Sequence, residues 1–141
     1  MRIIIVSTLL LSLTALAENS KDPSGLWNTF GNDGTLKSSV NVSVDNNQLF
    51  GIVNNLYNTT ENNPVCLKCE GSLKGKPVLG MQVINGLRLK DDVWQKGTLL
   101  DPESGNTYKG KVWVDGDILY VRGYIGFVYQ TQIWQRATTM P

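Results

Sequence analysis

Hydrophobic and polar residues alternate along almost the whole chain after Pro23. The clearest stretch is 37–44, where Val40, Val42 and Val44 alternate with Ser39, Asn41 and Ser43. Period two puts the valines on one face of a strand and the polar groups on the other. Similar runs of β-branched and aromatic residues recur, separated by clusters of Gly, Asn and Asp. This pattern predicts short strands joined by turns. Eight are predicted, at 25–30, 37–44, 48–56, 80–89, 93–100, 106–114, 118–125 and 128–136. Asp101-Pro102-Glu103-Ser104-Gly105 has the composition of a strong turn, and Asp115-Gly116-Asp117 that of a tight hairpin.

Eight strands connected in sequence predict an all-β, antiparallel up-and-down arrangement. Closure into a barrel removes the exposed edges that invite aggregation. An open sandwich is the alternative. An eight-stranded barrel is just wide enough for side chains to fill or for one small ligand to occupy. One connection is long, 57–77, with two prolines and both cysteines of the chain. It is expected to be a loop or a lid.

The chain opens with Arg2, then an apolar run over 3–13, then Ala15-Leu16-Ala17. That is the order of a cleavable secretory signal, 1–17, with cleavage between Ala17 and Glu18. The run is too short to span a bilayer. The expectation is one domain over 18–141, in the periplasm or secreted. Lys and Arg number 13 against 12 Asp and Glu, and removing Arg2 leaves 12 against 12. A neutral chain gives no electrostatic case for nucleic acid or an anionic membrane surface.

The chain has no histidine. Its absence removes the usual general base, the Ser-His-Asp and Cys-His arrangements, and His-ligated metal or haem. Cys66 and Cys69 alone do not make a four-ligand zinc site, and Glu70 after Cys69 breaks the haem attachment signature. No catalytic residue, metal site or cofactor is expected. In an oxidising compartment the pair reads as a disulfide clamp. Thiol–disulfide exchange is the alternative, but no strand–helix pattern surrounds the motif, and Glu70 opposes Lys68 in stabilising a thiolate.

Gly25-Leu26-Trp27 opens the first predicted strand and Trp134-Gln135-Arg136 closes the last. In a closed barrel these strands are neighbours, so Arg136 can lie over the Trp27 indole. Such a contact contributes ~0.5–2 kcal/mol. The arrangement resembles the lipocalin-like (calycin) barrels, in which these positions are structural. Trp27 as an ordinary core aromatic is the simpler alternative.

Four runs carry a second resemblance: Asp22-Pro23-Ser24-Gly25-Leu26-Trp27, Asn63-Pro64-Val65-Cys66-Leu67-Lys68-Cys69, the stretch 97–108 around Asp101-Pro102-Glu103-Ser104-Gly105, and Val121-Arg122-Gly123-Tyr124-Ile125-Gly126-Phe127. Together they resemble the exported bacterial family called domain of unknown function 2147. The resemblance implies a lipocalin-like barrel in the envelope or outside the cell. It brings no activity and no site residues. The asparagine-rich stretch 54–63 departs from the family pattern.

A barrel cavity would be lined by apolar side chains with a few polar groups. The pattern places Val40, Val42, Met81, Val83, Leu87, Tyr108, Val112 and Val121 inward, with Leu89 on the face of Met81. A stripe like this is more often a packed core than a ligand cavity. Asn85 shares the inward parity of its strand, where an unpaired amide is costly, so a ligand, water or polar neighbour is expected beside it. Arg122 and Tyr124 share one face with Tyr120, and the pattern leaves that face's direction open. An inward Arg122 would suit an acidic head group such as a fatty-acid carboxylate; an outward one is a solvated charge. The candidate ligand-binding set is therefore Met81, Val83, Asn85, Tyr108, Arg122 and Tyr124, for a small hydrophobic or fatty-acid-like ligand. The other expected roles are a structural or interaction protein with a filled barrel, and a redox protein using Cys66 and Cys69.

Overall fold

The structure, a computed structural model, describes residues 21–137. The expected signal segment and its cleavage point lie outside these residues. Eight strands follow one another: β1 (Gly25–Phe30), β2 (Leu36–Asp45), β3 (Gln48–Leu56), β4 (Gln82–Lys90), β5 (Val93–Asp101), β6 (Asn106–Asp115), β7 (Ile118–Ile125) and β8 (Val128–Arg136). Each pairs antiparallel with the next, and β8 pairs with β1. The sheet is a closed up-and-down barrel, which removes the open sandwich. β2 runs one residue further at each end than the alternation suggested, and β5 and β6 one residue further at their last, because the residues flanking their turns still pair.

The turns divide the barrel into two ends. At one end Asn46-Asn47 and Asp91-Asp92 make tight hairpins with both residues at positive φ, which Asn and Asp tolerate best. The other end carries the β1–β2, β5–β6 and β7–β8 turns and the long connection between β3 and β4. We call these the closed end and the mouth.

The closed end is organised around Trp27, which is fully buried, with its indole N–H donating to the Pro23 carbonyl at 2.8 Å. Trp27 pairs across the seam with Arg136, whose guanidinium lies 4.2 Å from the indole centroid. The same guanidinium donates to the carbonyls of Ser24 (3.1 Å), Asp22 (3.2 Å) and Gly116 (3.3 Å), and its Nε is 3.4 Å from an Asp117 carboxylate oxygen. Arg136 thereby joins the lead-in to β1, the β6–β7 turn and β8 in one plug. Val42, Leu49, Leu87, Val112 and Leu119 pack above it, each almost wholly buried.

β4 departs from simple alternation. Gly86 has φ +68, and the β3–β4 register slips between the Leu49–Leu87 and Phe50–Asn85 pairs. A left-handed residue of this kind inserts a bulge that changes which residues face inward. Leu87 and Ile84, an odd number of residues apart, are both fully buried as a result. Asn85 leaves the inward parity expected of it and pairs with Phe50 and Thr98. Leu89, expected to face inward with Met81, is 55% exposed near the closed end of β4.

Replacing Arg136 with alanine removes the stacking and three charge-assisted hydrogen bonds, and is expected to cost about 2–4 kcal/mol. Lysine at this position keeps the charge but loses the planar fork, so it recovers only part of the loss. Urea unfolding of the three proteins checks the order. The Asp22 carboxyl is held below its ordinary pKa by the Ser24 N–H it accepts at 2.9 Å, with a smaller contribution from Arg136. A depressed carboxyl stabilises the fold above its unfolded pKa, and the contribution is lost as pH falls through the lower folded value. The stability difference between the parent and Asp22→Asn should therefore hold at neutral pH and shrink below the ordinary aspartate pKa.

Candidate functional site

Above the packed half the barrel is hollow. A cavity of about 500 Å³ lies toward the mouth. Val40, Val53, Val83, Ile84, Leu99 and Val121 form much of its apolar wall. Polar groups come from the turns or the mouth-proximal ends of strands: Asn32, Lys37, Glu103 and Gln130. Thr29 and Ser38 also face the cavity and share a hydrogen bond of 2.5 Å between their hydroxyls. The arrangement is an apolar chamber with a polar rim.

The seam explains part of the opening. β1 and β8 pair only at Trp27–Arg136 and Asn28–Gln135, next to the closed end. Further toward the mouth Thr29 and Phe30 on one side, and Gln130, Gln132 and Trp134 on the other, line the cavity. The Trp134 indole N–H donates to the Gln132 side chain at 3.1 Å. Lys37 of β2 forms an ion pair with Glu103 of the β5–β6 turn across the rim. In the β1–β2 turn, the Asp33 carboxyl accepts the Thr35 N–H at 3.0 Å, and that bond holds its pKa below the ordinary value.

The long connection does not lie over the cavity. Of its residues only Val78 joins the cavity wall. It folds on itself: Cys66 N–H donates to the Lys76 carbonyl, Gly75 N–H to the Cys66 carbonyl, and Val78 N–H to the Pro64 carbonyl. A single 3₁₀ turn, Gly71–Leu73, lies inside it. Cys66 and Cys69 form a disulfide with Cα atoms 5.4 Å apart. Both are buried, clustered with Met81 and Leu100. Cys66 Sγ lies 3.3 Å from the Pro102 carbonyl oxygen, a packing contact because a disulfide sulfur carries no proton. Gly105, at φ +73, abuts the Lys68 carbonyl so closely that any Cβ there would collide with backbone. The connection is a loop that buttresses the β5–β6 turn, so of the two expectations, loop and lid, the loop is what the structure gives.

This geometry has counterparts. Residues 25–136 match the family model DUF2147, described as an uncharacterized protein conserved in bacteria. The match starts at the first residue of β1 and ends at the last of β8. The chain belongs to the DUF2147 family. No curated protein matches it. Among solved structures it is similar to protein HP1028 from Helicobacter pylori, which belongs to the lipocalin family: TM-score 0.72, 15% identity, covering 84% of this chain and 85% of that one. At that identity the likeness is one of fold, and the fold is lipocalin-like.

In this DUF2147 barrel the six residues suggested for ligand contact separate into three groups. Val83 and Tyr108 line the cavity. Met81 packs against the disulfide instead. Asn85 is turned away by the Gly86 bulge, and Arg122 and Tyr124 stand on the outer face of β7, where they border a shallow groove with Lys111 and Trp113. Arg122 is not a freely solvated charge. Its guanidinium lies 4.9 Å from the Trp113 ring and 4.3 Å from the Tyr129 ring, and its Nε donates to Thr131 at 2.7 Å. Of the expected inward stripe, Val40, Val83, Tyr108 and Val121 face the cavity, while Val42, Leu87 and Val112 fill the closed half. Sequence reasoning missed Ile84, Leu99, Gln130 and Gln132. Inner-face glycines are the available signal. A Cβ at Gly51 would press on Ile84 and one at Gly110 would collide with Leu99, so each glycine marks a large inward neighbour.

Replacing both Cys66 and Cys69 with serine should lower stability by roughly 2 kcal/mol in the chain-entropy picture. Hydrogen exchange should accelerate first at the amides of Cys66, Gly75 and Val78. Amides of the central β6–β7 ladder, such as Val112, should keep their protection relative to global stability. Equal acceleration in both regions would mean that buttress and barrel open together.

Proposed function

We propose that this protein is an exported, lipocalin-like carrier that holds a small apolar or amphipathic molecule in the mouth half of its barrel. The observation that carries the reading is the cavity of about 500 Å³ with apolar walls and a polar rim. A volume of this size lies in the range of small-molecule sites. An acyl chain or similar body fits the wall of Val40, Val53, Ile84 and Val121. A head group would meet Lys37, Asn32 or Gln130 at the rim. Export to the periplasm or beyond is supported by the signal-like segment 1–17 and by the disulfide. The hollow mouth half argues against a filled barrel acting only through its outer surface. The redox alternative is disfavoured by burial of both sulfurs behind Met81 and Leu100.

Native mass spectrometry of the purified protein, before and after organic extraction, should show a removable small amphipathic adduct. Extracted protein should bind an environment-sensitive fatty-acid dye. No adduct, together with no binding across a fatty-acid and lipid panel, would overturn the reading. Val53→Phe and Val121→Phe put extra volume into the chamber. In a filled core each would cost about 1–3 kcal/mol. Here both should leave stability nearly unchanged and weaken dye binding at least tenfold.

A further inference from the structure

The tight turns of the closed end are polar: Asn46-Asn47, Asp91-Asp92 and Gly116-Asp117. The β7–β8 turn at the mouth is different. It is Gly126-Phe127, flanked by Ile125 and Val128. Phe127 is fully exposed (103%), Val128 74% and Ile125 64%. A solvated hairpin gains nothing from such a tip, and contiguous exposed apolar groups mark a contact surface.

The residues behind the tip are ordered by depth. Ile125 pairs with Val128, then Tyr124 with Tyr129, and Arg122 with Thr131. The two tyrosine rings are 5.6 Å apart. Arg122 stands three residues behind Ile125, about 10 Å at the usual rise per residue. Lys111 pairs with Arg122 and lies 5.5 Å from the Tyr124 ring, while Lys109, paired with Tyr124, is rooted at the level of the tyrosines. Among the described residues no carboxylate forms an ion pair with Arg122, Lys109 or Lys111. Apolar tip, tyrosine belt and unpaired cations follow the order of acyl chains, interfacial carbonyls and phosphates in a bilayer leaflet. A protein groove would accept the tip but has no need of the depth order.

We propose that the β7–β8 hairpin docks the barrel mouth onto a lipid bilayer. Phe127, Ile125 and Val128 insert, Tyr124 and Tyr129 sit at the interface, and Arg122, Lys109 and Lys111 face lipid phosphates. Ile125 and Val128 also line the cavity. Docking therefore sets the chamber's opening against the acyl region. The proposal stands whether or not the chamber holds a ligand.

The test uses the full chain and vesicles of phosphatidylethanolamine with phosphatidylglycerol. The apolar segment 3–13 can itself adhere to lipid, so the main readout is taken at the tip. In Phe127→Trp, emission in excess of the parent's should shift to the blue and be quenched by brominated acyl chains. Joint replacement of Phe127 and Val128 by aspartate should lower vesicle partition roughly tenfold or more, with the unfolding midpoint unchanged. Ile52→Asp, on an exposed site of β3, should leave partition as it was. An unquenched indole at the tip, or equal losses in the tip and Ile52 variants, would overturn the proposal.

Discussion

A sheet of eight strands becomes a barrel only where its first and last strands meet, and here that joint spans two residue pairs, Trp27 with Arg136 and Asn28 with Gln135. Two residue pairs, with the Ala137 N–H donating to the Leu26 carbonyl beside them, are a weak closure by themselves, since each backbone hydrogen bond has a net worth of only about 1 kcal/mol. Arg136 supplies what the short ladder lacks. One planar cation covers the indole and reaches three backbone carbonyls from two separate segments. Those carbonyls would otherwise compete for water at the base of the core. Placing closure at one end leaves the seam free to part at the other, and that is where the cavity opens.

The division of labour continues upward. Leucines, valines and Trp27 fill the closed half, so the interior there has no room for a guest. In the mouth half β1 and β8 no longer pair and the interior is hollow, and rigidity has to come from outside. The disulfide-bonded connection provides it by clasping the β5–β6 turn through Cys66, Lys68 and Gly105. A chamber that keeps its volume without a guest needs such external support, because an unsupported apolar void tends to collapse onto itself.

Strand number, order and most boundaries were legible because alternation is a local property that survives in one sequence. The seam contact between Trp27 and Arg136 was legible for a topological reason, since closure makes the first and last strands neighbours. Faces were harder. Two register slips against β3, one at the left-handed Gly86 and one between Gly51 and Ile52, change the inward parity along β4, and nothing in the alternation of Val83, Asn85 and Leu87 marks either. Arg122 lies on a strand apolar on both faces, where periodicity carries no direction. The long connection read as a loop or a lid, and its length and polarity do not decide between them. Its true position depends on the close approach of Gly105 to Lys68, a long-range contact without local signature.

Net charge was the least informative quantity. A chain with balanced acids and bases offers no overall field toward an anionic surface, so net charge makes no electrostatic case for one. The measure averages over faces that never act together. Of the carboxylates in the mouth turns, Glu103 pairs with Lys37, while Asp33 and Asp101 accept hydrogen bonds and keep their charge. On the β6–β7 outer face Lys111 and Arg122 lie against aromatic rings and form no ion pair among the described residues, though Asp91 borders the same groove. Ring contact holds a guanidinium in place without neutralising it, so the face keeps its positive charge while the molecule as a whole has almost none. Over a distance comparable to the Debye length, about 8 Å at physiological ionic strength, an approaching surface senses that face and not the sum. Among the described residues, the apolar tip, the tyrosines and the cations of β6–β7 line up toward the end at which the chamber opens.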